Sequence, residues 1–169
     1  MNPTGRLENE GRTLLLSRTF AAPADVVWAS VTESERLGRW FGTWTGDPRD
    51  GFVLVSMNAE PEAGPPARFD ITACEPPRRL SVESTDENGT WKVTVELTES
   101  DGVTSLVFRQ DDLDPSSGPD VGPGWEWYLD RLVSAAAGRP GPDLDAFETD
   151  YMPLSAAYAA MLPSARDKP

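Results

Sequence analysis

The clearest pattern in the chain is an alternation of apolar and polar residues in its middle. Apolar residues occupy every second position from Trp91 to Leu97, the period of a strand with one buried face. Five other segments are rich in β-branched and aromatic residues and are bounded by turn-forming residues. Together these segments predict a sheet of about six strands: Arg12–Phe20, Phe52–Met57, Arg68–Cys74, Leu80–Ser84, Trp91–Thr98 and Val103–Gln110.

The turns between the later strands predict how these strands are paired. Asn88-Gly89 and Asp101-Gly102 are dipeptides typical of tight hairpins, because glycine tolerates a positive φ. Proline-rich segments such as "EPEAGPP" and "CEPPRR" are predicted loops, since proline is disfavoured inside a sheet. The sheet is therefore predicted to be antiparallel.

Helical periodicity follows the first strand and returns in the last third of the chain. Two short helices are predicted first, and Thr32 with Glu35 has the capping-box spacing that begins the second of them, which ends near Trp40. Near the C-terminus, one apolar stripe at helical spacing predicts a long helix between Pro123 and Gly138. Its members are Trp125, Tyr128, Leu129, Leu132, Val133 and Ala136.

The late helix is the only predicted element long enough to cover the apolar face of the sheet. The predicted fold is therefore α+β, with a curved antiparallel sheet wrapped around a long C-terminal helix. Trp127 falls outside the apolar stripe and is predicted to lie on the outside of the helix or to pack on Arg131. A short helix is predicted near residues 153–162. We expect one domain over 12–162, with flexible tails at 1–11 and 163–169.

Composition excludes several classes of protein. The chain has 169 residues, 38% of them hydrophobic and 25% charged, as in globular proteins. Its net charge of −13 disfavours binding to nucleic acid or to an anionic membrane surface. An apolar signal-peptide core and a membrane-spanning run are both absent from the sequence, and Cys74 is the single cysteine. We expect a cytoplasmic protein, either a monomer or a homodimer.

The absence of histidine restricts the chemistry further. Without histidine, Ser-His-Asp catalysis and most imidazole metal centres are excluded, and one cysteine cannot form a thiolate cluster. We therefore expect neither a metal nor a cofactor. Any catalysis has to use carboxylates, arginine, lysine or tyrosine as proton-handling groups.

The segment "RTFAAPADVVWASVTESERLGRWFG" resembles the opening of the START-like (SRPBCC) superfamily, in particular homologues of the heat-shock-ATPase activator domain. The matching residues are Ala22, Val27, Trp28, Thr32, Leu37, Trp40 and Phe41. The resemblance extends over about residues 12–137 and implies a helix-grip fold with an apolar cavity beneath the C-terminal helix. Relatives include lipid carriers, polyketide cyclases and hormone receptors. Many have a histidine near the end of the last strand, where this chain has Gln110.

The expected ligand site is an aromatic-lined cavity between the sheet and the late helix. Trp40 and Phe41 are predicted inward plugs, Trp44 the rim, and Tyr128 the polar contact to a ligand. The candidate ligand-binding residues are Trp40, Phe41, Trp44, Phe69, Trp91, Val93, Phe108, Trp125, Tyr128, Leu129 and Leu132. Ordinary core packing is the alternative role for many of these side chains.

Three classes of function remain open from the sequence. The favoured one is a protein that binds a small apolar or aromatic molecule. The alternatives are a cyclase- or aromatase-like enzyme and a partner-binding module of the co-chaperone kind. A closed cavity lined by aromatic residues would favour the first two classes, and an exposed apolar patch would favour the partner-binding module. A buried carboxylate or arginine inside the cavity would favour the enzyme over the binding protein.

Overall fold

The computed structural model describes residues 1–61, 64–87 and 89–162. It confirms the α+β class: one antiparallel sheet has strand order β1-β2-β8-β7-β6-β5-β4-β3. The strands are β1 Arg6–Glu8, β2 Thr13–Phe20, β3 Gly42–Thr45, β4 Phe52–Met57, β5 Ala67–Glu75, β6 Arg79–Asp86, β7 Gly89–Ser100 and β8 Val103–Asp111. The residues that were predicted as strands all lie in the sheet, except at one or two strand ends.

Two strands of the sheet, β1 and β3, were not predicted from the sequence. They form its two edges and contain only 3 and 4 residues, too few for an alternating pattern to be recognised. The finding for β1 differs from the flexible tail expected at residues 1–11, because Leu7 pairs with Leu14 of β2. The predicted tail at 163–169 and Asn88 of the predicted hairpin lie outside the described residues.

The described residues form five α-helices. They are α1 Ala24–Thr32, α2 Ser34–Leu37, α3 Gly118–Ala136, α4 Leu144–Ala146 and α5 Ser155–Ala160, with a π-helical turn Phe147–Tyr151 and a 3₁₀ turn Met152–Leu154 between the last two. Within the described ranges, no helix combines the length and the apolar character that crossing a membrane requires.

Two details of the helix boundaries differ from the prediction. The capping box is not formed, because Thr32 is still part of α1 and its hydroxyl donates to the carbonyl of Trp28 at 2.8 Å. Helix α3 begins at Gly118, earlier than predicted, with Pro119 in the first turn and Pro123 inside the helix. Its C-terminal end agrees with the prediction, since Gly138 has φ +68° just beyond it.

Helix α3 packs against β2, α1 and the C-terminal elements. Trp127 is only 2% exposed, so the prediction that it lies on the outside is wrong. Residues after α3 cover this face: the ring of Phe147 lies 5.5 Å from that of Trp127, and the indole N–H donates to the carbonyl of Asp143. The predicted contact with Arg131 is confirmed, with the guanidinium carbon 4.7 Å from the Trp127 ring centroid.

A buried carboxylate joins α3 to both ends of the described chain. Glu126, 1% exposed, accepts hydrogen bonds from the backbone N–H groups of Thr4 and Gly5, from the hydroxyls of Thr4 and Tyr158, and from Arg18. Burial alone would raise the pKa of the Glu126 carboxyl, but these donors outweigh it and lower the pKa below its ordinary value. Glu126 therefore anchors the N-terminal segment, β2 and α5 to the long helix.

Candidate functional site

The strand register places one set of side chains on the inner face of the sheet, which faces α3. Val93 of β7 is paired with Val82 of β6 and with Gln110 of β8, and Val82 is paired with Ile71 of β5. Because side chains alternate between faces, Phe69 shares the face of Ile71, and Trp91 shares the face of Val93. The inner face therefore continues across β5, β6 and β7 as an apolar surface.

The inner face is covered most completely on β2 and β8, although Val53 and Val55 of β4 are buried on this face as well. On β2 and β8, Leu14, Leu106 and Phe108 are at most 1% exposed. Leu129 and Leu132 of α3 are equally buried and belong to the same core cluster. This part of the inner face is packed protein core, and we call it the covered half.

The inner face is incompletely covered on the middle strands. Five apolar side chains there are only half-buried, and together we call them the open strip: Phe69, Ile71, Val82, Trp91 and Val93. Of these, only Val93 packs against the core cluster. The open strip is thus an apolar surface on the concave side of the sheet that the described chain leaves partly accessible.

An aromatic cluster lies between the two halves, centred on Phe41. The Phe41 ring centroid is 5.4 Å from that of Trp40, 5.2 Å from Tyr128 and 6.2 Å from Trp125, whose ring is almost parallel to it. It also contacts Phe69 edge-on, at 6.4 Å. Phe41, which is half-buried, therefore bridges helix α3 to the open strip.

Two hydrogen bonds hold the helix side of this cluster. The indole N–H of Trp125 donates to Oε1 of Gln110 at 2.7 Å, and the Trp125 ring lies 4.2 Å from that of Phe108. The hydroxyl of Tyr128 donates to Oε1 of Glu60 at 2.7 Å. Burial and the neighbouring Glu60 carboxylate raise the pKa of Tyr128 far above its usual value, so the hydroxyl remains a donor.

The structure separates the predicted site residues into four groups. Trp40, Phe41, Phe69, Phe108, Trp125 and Tyr128 come together in the aromatic cluster, and Trp91 and Val93 lie on the open strip. Leu129 and Leu132 are part of the packed core. Trp44 lies on the edge strand β3, and its indole N–H donates to the carbonyl of Thr32 at 2.8 Å.

Four residues of this region were missed in the sequence: Ile71, Val82, Gln110 and Glu60. The first two could have been found, since they alternate with polar neighbours on predicted strands. Gln110 was noticed only as the residue that replaces a histidine. Glu60 lies in a loop without periodicity, so no local signal connects it with Tyr128.

The expected closed cavity beneath α3 stays a prediction. Within the described residues, neither of two small pockets is lined by a side chain of the aromatic cluster. The larger, about 340 Å³, is bounded by Ala59, Arg131, Asp143, Leu144 and Asp145, and the smaller, about 100 Å³, lies between α1, α2 and the end of α3. The open strip is the part of the inner face that the described residues leave partly accessible.

The curved antiparallel sheet and the long C-terminal helix define the START-like, helix-grip class of α+β proteins. Residues 21–137 match the family described as activator of Hsp90 ATPase homolog 1-like protein, and the chain belongs to this family. The resemblance noted in the sequence is thereby confirmed.

Solved structures agree with this assignment. CalU16 from Micromonospora echinospora is 29% identical, with a TM-score of 0.72 over 90% of this chain and 89% of that one. The protein encoded by gene BPP1335 from Bordetella parapertussis has 22% identity and a TM-score of 0.72, covering 98% and 97% of the two chains. DynU16, described as a putative protein in the dynemicin biosynthetic locus, has 21% identity and a TM-score of 0.59, covering 76% and 49%. No curated protein matches the chain significantly.

Proposed function

We propose that the chain binds a small, apolar, ring-containing molecule against the open strip, beside the aromatic cluster. The observation that carries this proposal is the half-buried state of apolar side chains on the inner face of the sheet, next to neighbours that are fully buried. An apolar concave surface with few polar groups is the usual form of a small-molecule site.

The physical driving force is the removal of this surface from water. A ligand that covers about 250 Å² of apolar surface gains roughly 6 kcal/mol at about 25 cal/mol per Å². The cost of association reduces this gain, so we expect a dissociation constant of about 100 μM or weaker for a purely apolar compound. Ring compounds are favoured because Phe41, Phe69 and Trp91 offer ring faces and edges for stacking.

Two other classes of function have less support. The polar side chains that adjoin the strip by register, Ser84 and Gln110, are neutral, and the Glu60 carboxylate beside the aromatic cluster already accepts the Tyr128 hydroxyl. This arrangement supports binding more than acid–base catalysis. A docking surface for a chaperone calls for a contiguous exposed apolar patch. Among the described residues, the exposed apolar side chains of the sheet are instead divided between Leu54 on β4 and, four strands away, Val103 and Val107 on β8. Family membership establishes the fold, and the function has to be argued from the site.

Titration with N-phenyl-1-naphthylamine tests the proposal. This neutral two-ring probe fluoresces strongly in apolar surroundings and is excited outside the range of tryptophan. We expect saturable binding of one probe molecule per chain. Val82→Glu should abolish the signal, because it places a charge on the open strip. Val107→Glu is the matched control on the outer face of the same sheet and should bind the probe normally.

Two results would contradict the proposal. One is the absence of saturable binding to the wild-type chain. The other is an equal loss of binding in both valine variants while their circular dichroism spectra stay native, because this result would place the probe away from the open strip.

A further inference from the structure

The side-chain amide of Gln110 is held in one orientation. Gln110 is 3% exposed, and its Oε1 accepts the indole N–H of Trp125 at 2.7 Å. An indole nitrogen only donates, so the amide atom that faces Trp125 has to be the oxygen. The amide nitrogen, Nε2, is consequently at the end of the side chain that Trp125 does not contact.

The two hydrogens on Nε2 have no acceptor among the described residues, since the bond to Trp125 is the only one that the Gln110 side chain makes there. Every fully enclosed side-chain nitrogen and oxygen of the described residues does have a partner. Nε2 is therefore not fully enclosed, although Gln110 as a whole is only 3% exposed. A donor in so apolar a setting is costly unless an acceptor satisfies it.

The position of Gln110 connects this donor with the open strip. Gln110 lies on the inner face of β8, directly opposite Val93 of β7 on one side and Leu14 of β2 on the other. Directly opposed side chains of antiparallel strands are about 5 Å apart at Cβ. Val93 belongs to the open strip and Leu14 to the covered half, so the amide stands at the boundary where an apolar ligand would end.

We propose that the ligand carries an oxygen acceptor, such as a ring ketone, which accepts a hydrogen bond from Nε2 of Gln110. This inference rests on the proposed function and adds the chemical class of the ligand. The bond between Trp125 and Oε1 fixes the amide in advance, so the donor is presented without a reorientation of the side chain. The aromatic cluster supplies apolar contact, and the amide supplies selectivity among ring compounds.

A pair of matched probes separates the contribution of apolar contact from that of the hydrogen bond to Gln110. 1-Tetralone and tetralin share the same two-ring skeleton, and only 1-tetralone has a carbonyl group. We expect wild-type protein to bind 1-tetralone about five- to tenfold more tightly than tetralin, the ratio that one hydrogen bond supplies. In ¹H–¹⁵N spectra, the Gln110 side-chain amide protons should shift downfield with 1-tetralone and stay nearly unchanged with tetralin.

A substitution gives an independent test. Gln110→Met keeps an unbranched side chain of similar length and removes the donor, so it should reduce the preference for 1-tetralone to about onefold while tetralin still binds. The control Thr104→Val removes a buried hydroxyl from the other end of β8, where it donates to the carbonyl of Ala22. It should leave the preference at its wild-type value.

The outcomes distinguish this inference from the proposed function. If both probes bind wild-type protein equally and the Gln110 amide signal does not move, the inference is overturned, whereas the proposed function stands. If neither probe binds, the proposed function fails and the inference fails with it. The ¹H–¹⁵N spectra of wild-type protein test the hydrogen bond from Gln110 even if Gln110→Met does not fold.

Discussion

The two halves of the inner face are made of similar side chains and differ in what lies above them. On β2 and β8, Leu14 and Leu106 are 0% exposed beneath α3, whereas Ile71 and Val82 on the middle strands are half-buried. An apolar stripe in the sequence therefore predicts which face of a strand points inward. It does not predict whether another element covers that face. Only the covered half contributes fully to stability, which leaves the open strip available for binding.

Polar contacts account for the asymmetric position of α3. Arg18 of β2 forms ion pairs with Glu126 at 2.8 Å and with Asp130 at 2.7 Å, both on α3. The Arg18 side chain is 10% exposed, so these contacts are shielded from water at the sheet surface. They attach the long helix to the β2 side of the sheet, whereas Ile71 of β5 and Val82 of β6 stay half-buried.

The largest expected loss of stability comes from removing the Glu126 carboxylate, which pairs with Arg18. Glu126→Ala leaves Arg18 and several other buried donors without their acceptor, and it should lower the free energy of unfolding by about 3–5 kcal/mol. Chemical denaturation in urea measures the loss. The matched control is Glu35→Ala, because Glu35 is an exposed partner of Arg39, and it should cost less than about 1 kcal/mol. Equal effects for the two variants would contradict the anchoring role of Glu126.

Two leucine-to-alanine substitutions compare how tightly the covered half and the middle strands are packed. Leu106→Ala, in the covered half, should cost about 2–5 kcal/mol because it opens a cavity in packed core. Leu80→Ala, on the half-buried inner face of β6, should cost less than half as much. Thermal and urea denaturation of both variants give the comparison. If the two variants lose the same stability, then the middle strands are packed as tightly as the covered half.

The lowered pKa of Glu126 predicts the pH dependence of stability. The ordinary value is 4.5 and the folded chain holds this carboxyl below it, so the unfolded state binds its proton first as the pH falls. The stabilisation is therefore present above about pH 4.5 and is lost as the pH falls through the folded pKa. Between pH 5 and 3, wild-type protein should lose stability more steeply than Glu126→Gln. Urea midpoints at several pH values measure the two slopes, and parallel slopes would contradict the assignment.

Much of this architecture could be predicted from the sequence, because period-two segments and one amphipathic stripe are local signals. The alternation from Trp91 to Leu97 places strand β7 and its inner face correctly. The edge strands could not be predicted because they contain only 3 and 4 residues, too few for a period-two pattern. The role of Glu126 could not be predicted because its partners are distant in the chain: Thr4 bonds to Glu126 across 122 positions. The open strip could not be predicted either, because it depends on where α3 packs against the sheet.

The smallest expected effect on stability belongs to the open strip itself. Trp91→Ala should change the free energy of unfolding by less than about 1 kcal/mol, because the side chain is half-buried and lies outside the core cluster. The same substitution should weaken binding of N-phenyl-1-naphthylamine severalfold. A large loss of stability with unchanged binding would reverse the roles assigned to this tryptophan.

The most direct test of the central claim is a methyl ¹H–¹³C spectrum of the protein titrated with N-phenyl-1-naphthylamine. Ring currents from the bound probe displace methyl signals only within a few ångströms. The account predicts concerted, saturable shifts for Ile71, Val82 and Val93, with Leu14 and Leu106 almost unchanged. Shifts confined to Leu14 and Leu106, or to Val103 and Val107 on the outer face, would contradict it.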